Sequence, residues 1–192
     1  MEKIRGFEIA KGFEDKGINL PVRKTKYSAG YDVEAAENTI IPSFKKGMKP
    51  TLVKTGIKAY MKENEDLMLA NRSSNPGKKG LILANSIGVV DQDYYGNSDN
   101  DGHIMFAFYN IKDEDVEIKK GDCMGQAIFM PFLIADNDMA EGARTGGFGS
   151  TNKWNYKWKK LKKMVKALTF AIFCSIIKMV EIISETWLKT KI

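Results

Sequence analysis

No stretch of the first 150 residues sustains the helical period that an amphipathic helix needs. The apolar residues come instead in short runs, punctuated by Gly, Pro, Asp and Asn. Residues 4–9 read as a first strand, and Thr39–Ile41 as a strand that Pro42 ends. Within 50–61, Leu52, Ile57, Ala59 and Met61 alternate with polar residues, the pattern of a half-buried strand. Further strands are expected at 67–70, 103–109, Val116–Ile118 and 124–133. In 103–109, Ile104, Phe106 and Phe108 face one way and Met105, Ala107 and Tyr109 the other. Both faces are apolar, so this strand is expected to be covered on both sides. Many short strands with such punctuation imply an all-β sandwich or barrel.

Residues 81–95 organise the remainder. Two β segments flank Gly88, and Asp91 stands at the exit of the second. An aspartate there is usually a turn former or a cap. What gives Asp91 another reading is its company: Ala29-Gly30-Tyr31-Asp32 and Arg72-Ser73-Ser74 before it, Gly121-Asp122 with Gln126 after it, and then Arg144-Thr145-Gly146-Gly147-Phe148-Gly149-Ser150-Thr151. The last string has a linker's glycines, but its Arg, Phe and Ser-Thr do not suit a mere linker. No Walker loop, zinc cluster or dinucleotide fingerprint is present. His103, the one histidine, reads as a surface or hairpin residue, and Cys123 as a small strand residue. Cys123 and Cys174 are too far apart in sequence to make a framework or a metal pair, which fits a reducing compartment.

In this order the five motifs resemble those of the homotrimeric dUTP pyrophosphatases (dUTPases), over about residues 17–152. The resemblance implies a jelly-roll-like β-barrel over 1–142, a mobile Gly-rich arm over 143–152, and three sites at subunit boundaries of a homotrimer. It implies hydrolysis of dUTP to dUMP and pyrophosphate, which limits uracil in DNA and supplies dUMP for thymidylate synthesis. The chemistry is water attack on the α-phosphate, with Asp91 as general base. Arg72, Ser73, Ser74 and Gln126 would bind phosphate, and Arg144, Gly149, Ser150 and Thr151 would close on the γ-phosphate. Phe148 would stack on uracil. Asn85, Gly88, Val90 and Tyr94 would bind base and sugar through a narrow β-hairpin, the tyrosine ring excluding a ribose 2′-hydroxyl. Mg2+ is the implied cofactor, with Asp32 acting on it through water and no direct protein ligand.

Two alternatives stand beside this one. A dCTP deaminase shares the fold and the Arg-Ser-Ser turn, but it needs a glutamate in the strand after the third motif, and residues 103–109 hold none. A dUTPase-like regulator would bind nucleotide or a partner protein without turnover. The loop from Gly96 to His103 is longer and more acidic than the resemblance leads one to expect.

The last forty residues lie outside the resemblance. The net charge of +6 comes from them: 153–192 hold ten Lys and Arg against two acids, whereas 1–152 hold 20 against 22. The basic balance therefore gives the body no nucleic-acid signature. Leu161, Met164, Val165 and Leu168 recur at helical spacing among six lysines, and 167–177 is uncharged and apolar. Three readings compete for this helical tail. The first is an interfacial helix on an anionic membrane surface, spanning 154–187. The second is a helix packed on protein, and the third a short membrane anchor, which Lys178 and Glu181 disfavour. The N-terminus has no apolar signal-like region, and the expected location is cytoplasmic with peripheral membrane association through the tail.

Overall fold

The computed structural model describes residues 3–142, 144, 146 and 147. The expectations for Phe148, Gly149, Ser150, Thr151 and the tail lie outside the described residues. Eleven strands are described: β1 Gly6–Ile9, β2 Tyr31–Glu34, β3 Thr39–Ile41, β4 Thr51–Lys54, β5 Ile57–Tyr60, β6 Glu65–Asn71, β7 Leu81–Leu83, β8 Gly88–Asp91, β9 Met105–Asn110, β10 Val116–Ile118 and β11 Cys123–Pro131. All their pairings are antiparallel. They form a four-stranded sheet β2-β11-β6-β8, a three-stranded sheet β4-β9-β7, and the pairs β1-β5 and β10-β3. This is the expected all-β, jelly-roll-like barrel.

Alternation explains the core. Val53, Ile57, Leu67, Phe106, Phe108 and Ile118 point inward and are essentially buried, each from a strand whose neighbouring residues are less buried, and Val33 and Met124 join them. Phe106 and Phe108 stack at 6.0 Å between ring centroids. Burying side chains of this size contributes about 1.5–3 kcal/mol each and dominates what holds the barrel.

Three local expectations change. The run 50–61 is two strands, because Gly56 at φ +70° breaks it after Thr55. β4 then joins β9, and β5 joins β1. Residues 81–95 do not form a paired hairpin. β7 lies in the β9 sheet and β8 in the β6 sheet, so the stretch crosses between sheets. Its sharp turn sits at Asn85-Ser86, with Ser86 at φ 60°, and Gly88 opens β8 instead. A Cβ on Gly88 would lie 3.0 Å from that of Leu69, so the glycine permits the close approach of β8 to β6. Lastly, β9 is fully buried only on the Phe106-Phe108-Asn110 face, while Met105, Ala107 and Tyr109 are half-buried.

Candidate active site

The motif residues fall into two groups at opposite ends of β6. At the C-terminal end of β6, a bulge between Cys123 and Gly125 sets the register of β11 on β2. Gln126 then stands directly across from Asp32, and its Nε2 donates to Asp32 Oδ1 at 3.0 Å. Gly30 makes this possible, since a Cβ there would meet the Gln126 side chain at 2.8–3.0 Å. Arg72-Ser73-Ser74 follows β6 immediately. Asn75, 3% exposed, fixes that turn: its Nδ2 donates to Met124 O at 2.7 Å and to Asn71 Oδ1 at 2.9 Å, and its backbone N–H donates to Arg72 O. The Arg72 and Ser73 side chains are exposed and unpartnered among the described residues, and both can meet an anion. Asp122 is a turn former, accepting from Lys79 Nζ and from the Lys119 N–H.

At the other end of β6, β8 is an edge strand. Among the described residues its outer main-chain groups have no ladder partner, so they can meet a planar hydrogen-bonding ligand. The Val90 side chain is in the core, so this residue can face a base only through its backbone. Asn85 is exposed in the turn before it. Asp91 ends β8, half-buried and opposite Asp66. Burial first, and the facing Asp91 second, hold the Asp66 carboxyl above the usual range.

Tyr94 follows in a short 3-10 turn and is 7% exposed. Its hydroxyl donates to His103 O at 3.0 Å and accepts from Asn100 Nδ2 at 2.7 Å. The start of the arm lies on this end in the same chain. Arg144 pairs with Asp91, and with Asp93 at 2.7 Å, while its guanidinium carbon sits 6.0 Å from the Tyr94 ring centre. Gly147 rests on the Tyr94 ring, where a Cβ would come within 2.6 Å of Cε2.

Arg144 therefore joins Asp91 and Tyr94, and Gln126 joins Asp32 beside the Arg72 turn, but the two groups are not brought together. Asp91 pairs with Asp66, and Arg72 comes six residues later along β6, which at the rise of an extended strand separates the two by about 20 Å. Sequence reasoning missed Asn75, Asp93 and Asn100. Asn and Asp are common in turns, so each looked like punctuation. Asn75 alone carried a signal, standing between a polar Ser-Ser and a proline.

Among the described residues, no group of three or more His, Cys, Asp or Glu is arranged to hold a metal ion. Asp32 offers one largely buried carboxylate, with one oxygen engaged by Gln126. That donor set fits an ion that keeps most of its waters and takes its other oxygens from a phosphate.

Residues 16–152 match the family model described as dUTPase. The chain is 53% identical over 151 residues to the deoxyuridine 5'-triphosphate nucleotidohydrolase of Lactococcus lactis, covering 78% of this chain and 98% of that one. It is similar to the crystal structure of dUTPase from Streptococcus mutans at 46% identity and a TM-score of 0.64, over 69% of this chain and 99% of the other. A dUTPase of phage phi11 of S. aureus, whose structure coordinates a structural Mg(II) ion, shares the fold at 17% identity and a TM-score of 0.55, over 72% of this chain and 97% of the other.

Proposed function

This chain belongs to the dUTPase family, and we propose that it hydrolyses dUTP to dUMP and pyrophosphate at a site where Asp91 is the general base. The observation that carries this reading is Asp91 at the end of the open edge of β8, beside the buried ring of Tyr94. Uracil pairs with the free main-chain groups near Gly88 and Val90. Asn85 and Tyr94 take the deoxyribose, and Asp91 removes a proton from the water that attacks the α-phosphate. Arg72, Ser73, Ser74 and Gln126 neutralise and orient the phosphates. Arg144 waits on Asp91 and Asp93 until a γ-phosphate draws it away, freeing the Asp91 carboxylate. Phe148 and the Gly149-Ser150-Thr151 segment complete closure over base and phosphate.

Mg2+ is the fitting cofactor; phosphate oxygens would hold it, with Asp32 acting through water. Such an ion supplies charge neutralisation and a fixed phosphate geometry. Asp32 would hold one of the ion's waters, and Gln126 in turn orients Asp32.

The separation of Asp91 from Arg72 supports assembly from several copies, three by family resemblance. In a trimer the Asp91 end of one chain meets the Arg72 end of the next, and a chain alone has half a site. Of the alternatives, the deaminase lacks its glutamate in β9, Met-Phe-Ala-Phe-Tyr-Asn. For 153–192 the sequence still favours an interfacial helix on an anionic surface. Salt-reversible sedimentation with anionic vesicles, lost in a chain stopped after Lys153, tests that association.

Pyrophosphate release measured in parallel on dUTP, dCTP, dTTP and UTP tests the reaction. Turnover of dUTP far above the other three is the expected result. Asp91→Asn should still bind dUTP while turnover falls on the order of 10²–10⁴-fold. Binding of dUTP without turnover by the unmutated protein would favour the regulator.

A further inference from the structure

The loop between Tyr94 and His103, the part of the chain that the family resemblance leaves unexplained, folds back onto Tyr94. Asn97 is its hub. Its Oδ1 accepts from the N–H groups of Asp99 and Asn100, and its Nδ2 donates to Tyr94 O at 2.8 Å and to Asn100 Oδ1 at 2.9 Å. Asn100 Oδ1 also accepts from the Gly102 N–H at 3.2 Å. With that oxygen engaged on the turn, the amide is oriented so that Nδ2 reaches the Tyr94 hydroxyl. Gly102 lets the chain return: it has φ +81°, and a Cβ there would lie 2.8 Å from Tyr94 O. Tyr94 is thus gripped at its carbonyl and at its hydroxyl, while its ring receives Gly147 and Arg144 on the side of the arm.

We propose that Asn100 is a positioning residue for sugar selection, holding the Tyr94 ring as a rigid wall so that a nucleotide with a ribose 2′-hydroxyl is refused. This rests on the reading of Tyr94 as the sugar wall. A steric filter works only if the wall does not yield. An aromatic side chain has two soft torsions, and packing along its flanks leaves it able to tilt toward or away from a ligand. Two hydrogen bonds at the far end of the ring, from Asn100 and to His103 O, remove that freedom. Asn100 need not touch substrate. Its effect is on what Tyr94 tolerates, so the loss of Asn100 should admit UTP more than it harms dUTP.

The test compares kcat/KM on dUTP and on UTP for the full chain and its variants Asn100→Ala, Tyr94→Phe, Tyr94→Ala and the Asn100→Ala/Tyr94→Phe pair. Asn100→Ala should lower the dUTP-to-UTP ratio about fivefold to tenfold, the equivalent of one hydrogen bond. The change should appear chiefly as a gain on UTP through KM. Tyr94→Phe deletes the same bond from the other end, together with the bond to His103 O, and leaves the Asn97–Asn100 turn whole, so it gives an independent reading if Asn100→Ala does not fold. It should lower the ratio at least as much as Asn100→Ala does, and the double variant should lower it no further than Tyr94→Phe alone. A wild-type ratio in either single variant, or additive effects in the pair, overturns the role of Asn100. If Tyr94→Ala also keeps the wild-type ratio, the sugar-wall reading itself is at fault. If Tyr94→Ala loses the ratio and Asn100→Ala does not, only the positioning role fails.

Discussion

Asp91 and Arg72 stand at opposite ends of one strand: Asp91 pairs across the ladder with Asp66 of β6, and Arg72 leaves β6 just past Asn71. A triphosphate cannot place its α-phosphate beside Asp91 and its phosphate chain beside Arg72 of the same copy. In the proposed trimer, rotational symmetry would solve this by setting one end of each chain against the other end of its neighbour, a head-to-tail contact that closes into a ring. On this proposal the barrel holds two half-sites rigidly apart.

Gly30→Ala tests the Asp32–Gln126 pair without touching either residue. The added methyl would press on Gln126 Oε1, Cδ and Cβ at 2.8–3.0 Å, and the amide must move off Asp32. We expect kcat on dUTP to fall roughly tenfold to a hundredfold, the usual cost of displacing an orienting group by about 1 Å. Steady-state kinetics beside a thermal melt would check this. An unchanged kcat would remove Gln126 from the orienting role.

Asn75→Leu strips both side-chain bonds from the phosphate-binding turn. It leaves Met124 O and Asn71 Oδ1 without their donor, in a place where water does not reach Asn75. Destabilisation of about 1–3 kcal/mol is expected from the unpaired buried acceptor. KM for dUTP should rise by a larger factor than kcat falls, because Arg72 and Ser73 keep their chemistry and lose their placement. Urea unfolding and steady-state kinetics together read both effects.

The fold class was legible because strands announce themselves locally, by alternation within 50–61, by short apolar runs at 67–70 and 103–109, and by Gly and Pro at their ends. The partner of each strand was not legible. Nothing in 50–61 says that Gly56 turns the chain from the β9 sheet toward β1, and nothing in 81–95 says that β7 and β8 go to different sheets. The motif residues were readable as a set because their order resembles the five motifs of the dUTPases. Their division between two ends of β6 depends on ladder register, which a sequence does not print. Asn75 and Asn100 were hidden for a further reason: each acts by hydrogen-bonding to atoms from which its own composition gives no clue.

His103 is a structural histidine and should make the fold acid-sensitive. Its Nε2 accepts from the Gly56 N–H at 3.0 Å, and its ring packs at a tilt against Phe13, 4.6 Å between centroids. Burial first, and Lys54 second, push its pKa down from 6.5 to about 4. The unfolded chain thus binds a proton below about pH 6.5 that the folded chain refuses until about pH 4. Stability from this group is complete above pH 6.5 and is lost as the pH falls toward 4. His103→Gln, which can still offer Gly56 an acceptor, should flatten the stability-versus-pH curve between pH 4 and 6.5 relative to the unmutated protein. Parallel curves for the two across that window would contradict the assignment.

The most direct test of the split site mixes two dead chains, Asp91→Asn and Arg72→Ala, under conditions where subunit exchange is verified. Each variant alone should turn over dUTP at a small fraction of the normal rate. If the site joins Asp91 of one copy to Arg72 of the next, every mixed trimer has one junction where both intact residues meet. Equal mixing with random exchange should then restore about a quarter of the normal activity. If Asp91 and Arg72 act within one chain, no junction is intact, and mixed trimers that remain as inactive as the parents would contradict the account.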